Sequence, residues 1–220
     1  MSPDSPELVA IAILAKAPVP GAVKTRLVMM LGVDGAASLH DRFVRRTVET
    51  AAQAATGPIT LWTDPNERHP VFRALSQRYS LTLARQPSGD LGGRMLAAIA
   101  HGAGPTLVIG TDCPTLTAVH LRDAADALRS GAEVVVIPAD DGGYVLIGMR
   151  KPIPDLFADM TWGTDGVMTE TRRRLTHLGL SWREPAQLWD VDRPTDVRRM
   201  RREGLTDLLA GIDREPEPLR

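Results

Sequence analysis

The residue types with the clearest chemical potential stand in one short segment after the first apolar run. Lys16 and Lys24 flank the stretch Ala-Pro-Val-Pro-Gly-Ala-Val, and Thr25 and Arg26 follow directly. The chain has only three lysines among its 26 basic residues, so two of them in one loop suggest a specific role. An ammonium is a compact point charge that suits phosphate oxygens, and backbone N–H groups at a strand-to-helix junction also favour anions. The segment predicts a phosphate-binding loop, with a solvated surface loop as the alternative.

Carboxylates follow several later apolar runs. Asp112 lies in Gly-Thr-Asp-Cys-Pro, Asp141 in Asp-Asp-Gly-Gly-Tyr, and Asp190 and Asp192 in Trp-Asp-Val-Asp. Proteins hold Mg²⁺ with one or two carboxylates plus substrate oxygens, so these residues predict a divalent cation that bridges the protein to a polyphosphate. Each also has a structural alternative. Asp112 could be a turn or cap residue, Asp141 part of a tight turn, and the last two a strand end and a helix N-cap.

Short apolar runs alternate with amphipathic stretches, which indicates an α/β fold with a mostly parallel sheet covered on both faces. The predicted strands are 8–14, 59–63, 81–85, 106–110, 133–138 and 144–148, and the predicted helices are 34–55, 65–77, 91–101, 117–129, 165–177 and 194–210. The link between the last two strands is too short for a helical crossover, so residues 133–148 predict an antiparallel excursion. Residues 188–192 are predicted as a further short strand with Asp190 and Asp192 on one side.

Composition narrows the function classes. The 220 residues suit a single domain, predicted over 1–212, with a frayed polar tail over 213–220. A net charge of −1 gives no electrostatic case for nucleic-acid binding, and the apolar run 8–15 is too short to span a membrane. The single cysteine, Cys113, fits a cytoplasmic protein, and the five histidines lack zinc-ligand spacing. The arginine clusters at 42–46, 172–174 and 198–202 are predicted to be solvated helix faces.

Five segments in order carry a resemblance to a known family. They are residues 15–27, 86–95, 110–114, 141–148 and 189–192. Together they resemble the bacterial radical-SAM/selenodomain-associated (arsenosugar-biosynthesis-type) transferases, a family assigned as nucleotide-diphospho-sugar transferases of the GT-A fold. The first loop is also distantly similar to that of 2-phospho-lactate guanylyltransferase. The resemblance implies a single three-layer Rossmann-like domain of GT-A type, but a fold hosts many chemistries, so function must be argued from the site.

The residues and the resemblance together predict a Mg²⁺- or Mn²⁺-dependent transferase that uses a nucleotide donor and a small-molecule acceptor. The predicted nucleotide-binding residues are Lys16, Gly21, Lys24, Thr25, Arg26, Gln86, Gly92 and Arg94. The predicted metal ligands are Asp112, Asp190 and Asp192, and the predicted acceptor-binding residues are Gly142, Gly143, Tyr144 and Trp162. Lys24, Asp112 and Asp141 are predicted to be catalytic, with Asp141 as the base that deprotonates an acceptor hydroxyl.

Three functions stay open on the sequence. Glycosyl transfer from a nucleotide-sugar is favoured by the family assignment and by a proline-bearing first loop that offers fewer backbone donors than a glycine-rich one. Nucleotidyl transfer, which releases pyrophosphate, is favoured by the cations of that loop, because a triphosphate carries more charge. A nucleotide-binding protein without turnover is disfavoured by the full set of carboxylates. We favour glycosyl transfer.

Overall fold

A seven-stranded sheet runs through residues 6–212, the part of the chain that the computed structural model describes. The strands are β1 (Ala10–Lys16), β2 (Ile59–Asp64), β3 (Thr82–Arg85), β4 (Thr106–Ile109), β5 (Val134–Pro138), β6 (Tyr144–Met149) and β7 (Trp182–Arg183). Their order across the sheet is β3-β2-β1-β4-β6-β5-β7. All neighbouring strands are parallel except that β6 runs antiparallel to both β4 and β5. The predicted α/β fold with an antiparallel excursion in 133–148 is confirmed.

Six α-helices within residues 6–212 cover the sheet. They are α1 (Val28–Ala54), α2 (Pro70–Tyr79), α3 (Leu91–His101), α4 (Ala118–Arg129), α5 (Val167–His177) and α6 (Pro194–Arg202). Because successive strand side chains point to opposite faces, Ile11 and Ile13 pack under α1, α2 and α4, whereas Ala12 joins the core under α3 and α5. A third apolar cluster joins the start of α1 to α6. The result is the predicted three-layer arrangement.

Some element bounds differ from the prediction for local reasons. The first helix begins at Val28 rather than residue 34, because a short helical stretch precedes Gly32, whose φ of 73° and ψ of 170° break the helix. Such a stretch is too short to show a helical period. The last helix ends at Arg202 rather than residue 210, since Gly204 adopts a φ of 79° just beyond it, and a 3-10 turn follows at Thr206–Leu209. The two-residue strand β7 was not predicted.

The predicted strand at residues 188–192 is wrong. Within residues 188–192, only Leu188 forms a β-bridge, to Ala139 just beyond β5, and no ladder continues from it. The segment keeps the predicted alternation, because Trp189 and Val191 are buried while Asp190 and Asp192 are half-buried. Tertiary packing against the third apolar cluster therefore replaces strand pairing there.

Several arginines predicted to be solvated instead connect separate elements. Arg42 donates to the carbonyls of Leu208 and Ala210, and Arg46 Nε donates to Pro114 O at 2.9 Å. Arg172 forms a two-pronged ion pair with Glu184. The prediction failed because a guanidinium is a planar fork that reaches carbonyls and carboxylates far away in sequence. The predicted tail at 213–220 lies outside the described residues, and no helix within 6–212 has the length and apolarity needed to cross a membrane.

Candidate functional site

A cavity of about 600 Å³ opens at the carboxyl ends of β1 and β4, next to the start of β6. Crevices at this edge of an open sheet are the usual ligand sites of such folds. The predicted site residues that line it are Lys16, Lys24, Thr25, Arg26, Gln86, Arg94, Asp112, Asp141, Gly143, Tyr144, Trp162, Asp190 and Asp192. Gly21, Gly92 and Gly142 do not line it. The fold thus brings segments between residues 16 and 192 together around one cavity.

The Lys24 ammonium lies at the bottom of this site, among carboxylates. Its Nζ is 2.7 Å from Asp112 Oδ1 and 2.9 Å from Asp192 Oδ1, and it donates to Val191 O at 2.5 Å. Burial alone would lower the pKa of Lys24, but the two carboxylates outweigh burial and raise it. With only 3% of its side chain exposed, Lys24 ties the first loop to two acidic segments. Its predicted role as a phosphate clamp stays a prediction.

Asp112 presents its two carboxylate oxygens to different surroundings. Oδ1 is buried and contacts Lys24 off the hydrogen-bond direction, whereas 42% of the side chain is exposed, so Oδ2 is the oxygen open to the cavity. Burial favours the protonated form, but Lys24, with smaller contributions from His40 and Lys16, outweighs burial and holds the pKa of Asp112 below its ordinary value. Asp112 is therefore an ionised carboxylate with one oxygen free for a ligand.

His40 is a buried neighbour of Asp112 that sequence reasoning missed. Its Nε2 lies 3.0 Å from Lys16 O, and because a carbonyl only accepts, this contact assigns the ring proton to Nε2. Nδ1 is then a lone-pair acceptor without a hydrogen-bond partner, 3.8 Å from Asp112 Oδ1. Burial lowers the pKa of His40, which favours the neutral ring. A single histidine in an amphipathic helix gives no sequence signal for this placement.

Like charges crowd the part of the cavity around Asp190. Burial first, and then Asp141 and Asp192, raise the pKa of Asp190 to about 7. Asp141 Oδ1 accepts the Gly143 N–H at 2.9 Å, which fixes the hairpin tip. Within residues 6–212, no three His, Cys, Asp or Glu side chains are close enough to hold a metal by themselves. The free oxygen of Asp112 and the mutually repelling carboxylates nevertheless suit a divalent cation whose remaining ligands come from a substrate.

Exposed cations of the first loop stand at the rim of the cavity. Lys16 and Thr25 are exposed, and 67% of the Arg26 side chain is exposed, with Nη1 3.9 Å from Asp192 Oδ2. Gly21, with a φ of 79°, lies in the turn that precedes them. Because both Lys16 and Arg26 are exposed, an anion that enters the cavity can reach them.

Gln86 and Arg94 form a linked pair on the β2 side. Gln86 Nε2 donates to Trp62 O at 2.9 Å and to Ala15 O at 3.3 Å, and its Oε1 accepts from Arg94 Nη1 at 3.3 Å. The side-chain amide of Gln86 therefore bonds to groups of the protein itself, and its oxygen orients Arg94. Contact of either residue with a base or ribose stays a prediction.

Trp162 forms an aromatic wall of the cavity. Its Nε1 donates to Asp90 Oδ2 at 3.0 Å, and the Tyr144 ring meets it edge-on at 6.4 Å. Gly92 lies directly behind the indole, since a Cβ there would be 2.8 Å from Trp162 Cζ2. Gly142 similarly allows close contact of the hairpin tip with Asp165. Both glycines thus position the wall and the tip from outside the cavity.

More than half of the chain matches a known protein family. Residues 47–164 match the model of the family described as "Uncharacterized protein conserved in bacteria (DUF2064)". The chain belongs to this family. Residues 110–114 and 141–148 of this DUF2064 protein, which carry Asp112 and Asp141, lie inside the matched region, whereas the first loop and the 189–192 segment lie outside it. Among curated proteins, none matches the sequence.

Solved structures resemble this DUF2064 protein over most of its length. A candidate nucleotide-diphospho-sugar transferase from Desulfovibrio desulfuricans G20 is 26% identical with a TM-score of 0.77, covering 94% of this chain and 99% of its own. A nucleotidyl transferase from Methanothermobacter thermautotrophicus is 15% identical with a TM-score of 0.59, and the match covers 90% of this chain and 99% of that protein. A Mycobacterium tuberculosis H37Rv protein solved with manganese is 20% identical with a TM-score of 0.54, and the match covers 88% of this chain and 98% of that protein. The two more distant likenesses support the fold alone.

Proposed function

We propose that this DUF2064 protein is a divalent-metal-dependent glycosyltransferase that uses a nucleotide-sugar donor. The observation that carries the proposal is the division of charge in the cavity. Asp112, Asp141, Asp190 and Asp192 form an acidic centre, while the exposed cations Lys16 and Arg26 stand at its rim, Arg26 at the edge of ion-pair distance from Asp192. A donor diphosphate that enters between them meets cations on one side and, with a metal, carboxylates on the other.

Asp112 and Asp190 are the residues we assign to the metal. Asp112 offers a free oxygen, and Asp190 carries a carboxylate that like charges destabilise and that a cation would stabilise. Both oxygens of Asp192 instead face cations, Oδ1 facing Lys24 and Oδ2 facing Arg26. Bound Mg²⁺ or Mn²⁺ would supply Lewis-acid neutralisation of the departing phosphate.

The chain's own residues would complete the transfer. Lys16 and Arg26 bind the phosphate oxygens, and the Trp162 wall excludes water from the sugar. Asp141 accepts the proton of an acceptor hydroxyl, whose oxygen forms the new bond to the anomeric carbon. The bond between that carbon and the phosphate oxygen breaks, and the nucleoside diphosphate leaves.

Nucleotidyl transfer is the second candidate, and the two exposed cations at the rim, Lys16 and Arg26, favour it. We rank it lower because Lys24 is committed to Asp112 and Asp192, so the first loop has fewer free cations for a triphosphate. The likeness to a nucleotide-diphospho-sugar transferase at 26% identity also supports glycosyl transfer. The finer resemblance to radical-SAM-associated, arsenosugar-type enzymes stays a prediction.

Calorimetry with UDP-, GDP- and ADP-glucose tests the proposal. We expect one of these donors to bind only when Mn²⁺ is present, and we expect Asp112→Asn to abolish this Mn²⁺-dependent binding. Asp123→Asn, an exposed carboxylate on α4, is the matched control and should bind as the wild type does. Binding that is equally strong without metal, or equally strong in Asp112→Asn, would contradict the metal assignment.

A further inference from the structure

Arg199 lies outside the cavity but contacts both acidic segments that border it. From α6, its Nη1 is 2.7 Å from Asp140 Oδ2 and its Nε is 2.7 Å from Glu203 Oε1. Its guanidinium carbon stands 4.3 Å from the centroid of the Trp189 ring. The sequence prediction of a solvated Arg199 is therefore wrong.

Two of these three partners, Asp140 and Trp189, are chain neighbours of cavity residues. Asp140 precedes Asp141 at the hairpin tip, and Trp189 precedes Asp190. The backbone joins the same two segments, because Asp140 N donates to Leu188 O at 3.0 Å. Arg199 thus spans the outer side of the junction that places Asp141 and Asp190 in the site.

This junction must resist electrostatic repulsion. The hairpin tip carries the consecutive carboxylates Asp140 and Asp141, and the facing segment carries Asp190, so negative charges meet where the backbone joins the two segments. A cation behind the two segments offsets that repulsion by attracting both. An isolated exposed ion pair contributes little, but Arg199 combines ion pairs with a stack on Trp189, which is 5% exposed.

We propose that Arg199 is a positioning residue of the site, holding the Asp141 and Asp190 segments together from outside through Asp140 and Trp189. The inference rests on the proposed function, because its consequence is a correctly spaced acidic centre for the metal and donor. Arg199 touches neither ligand, so it acts through its neighbours.

The affinity of the full chain for Mn²⁺ in the presence of GDP or UDP tests this role. The electron paramagnetic resonance signal of free Mn²⁺ measures how much of the ion is bound. At a temperature where every variant is folded, Arg199→Ala should weaken Mn²⁺ binding by about tenfold. Arg199→Lys keeps the charge but not the planar stack, so it should recover part of the loss. Arg198→Ala, exposed on the same helix, is the control and should match the wild type.

A double-mutant cycle separates positioning from general destabilisation. Asp140→Asn should weaken Mn²⁺ binding as well, and the double variant should be no weaker than Arg199→Ala alone, because the two residues act as one unit. Additive losses, or wild-type affinity in Arg199→Ala, would overturn the positioning role while leaving the proposed function intact. Failure of the wild type to bind Mn²⁺ with either nucleotide would overturn the proposed function and this inference with it.

Discussion

Lys24 and Asp192 are 168 positions apart in the chain, yet Lys24 Nζ lies 2.9 Å from Asp192 Oδ1. The same ammonium contacts Asp112, so one side chain fixes the first loop against the segments after β4 and before α6. The lysine that sequence reasoning treated as a ligand clamp is thus also the electrostatic centre of the fold at this edge.

Replacing Lys24 should therefore affect stability as well as binding. Lys24→Met leaves two carboxylates without their buried partner, and we expect it to lower the free energy of unfolding by about 2–3 kcal/mol, less than a fully buried pair would cost. Urea denaturation measures the change. Arg26→Ala, which removes an exposed cation from the same loop, should stay within about 0.5 kcal/mol of the wild type. Equal losses in both variants would contradict the distinction.

The raised pKa of Asp190 predicts a pH dependence of stability in metal-free protein. Folding raises this pKa from 3.8 to about 7, so the folded state holds the proton more tightly and stability falls as pH rises between these values. Asp190→Asn cannot ionise. At pH 8 in EDTA we expect it to be about 1–2 kcal/mol more stable than the wild type, after allowance for solvent screening.

The control for this prediction is the same comparison at pH 3.8, where the gain should largely vanish because the wild-type carboxyl is protonated. Saturating Mn²⁺ should also reduce the gain at pH 8, because it stabilises the ionised wild-type side chain. If Asp190→Asn raised the free energy of unfolding equally at both pH values, ionisation of Asp190 would not be what destabilises the wild type.

Gly92 should be intolerant of a side chain. In Gly92→Ala the new Cβ would stand 2.8 Å from the Trp162 ring and 3.0 Å from Phe157 Cβ, so the indole must move. We expect a loss of about 1–3 kcal/mol in unfolding free energy and an altered tryptophan fluorescence spectrum. In Gly93→Ala, the matched control one residue on, the Cβ would stand 3.3 Å from Asp90 Oδ1, and stability should change by less than about 1 kcal/mol.

The sequence predicted the sheet and the location of the site because those depend on local patterns. Apolar runs mark β1 and β4, and charged segments follow them, so the carboxyl edge could be located without coordinates. The environments of His40 and Arg199 could not be predicted. Their roles depend on contacts with Asp112 and Asp140, which only the completed fold brings together.

The bonds that Lys24 forms illustrate the same limit. Its residue type and position indicated an anion as partner, but nothing local distinguishes a phosphate of the substrate from a carboxylate of the protein. Only the path of residues 188–192 past the first loop, packed through Val191 rather than paired in a strand, determines that partner.

Analysis of the products by phosphorus NMR tests the central claim most directly. The full chain would be incubated with Mn²⁺ and a panel of UDP-, GDP-, ADP-, CDP- and dTDP-sugars, and separately with the matching nucleoside triphosphates. Slow release of a nucleoside diphosphate from one nucleotide-sugar, with water replacing the acceptor, is the predicted result, and Asp112→Asn should abolish it while Asp123→Asn preserves it. Pyrophosphate released from a triphosphate, with no turnover of any nucleotide-sugar, would contradict glycosyl transfer and support nucleotidyl transfer instead.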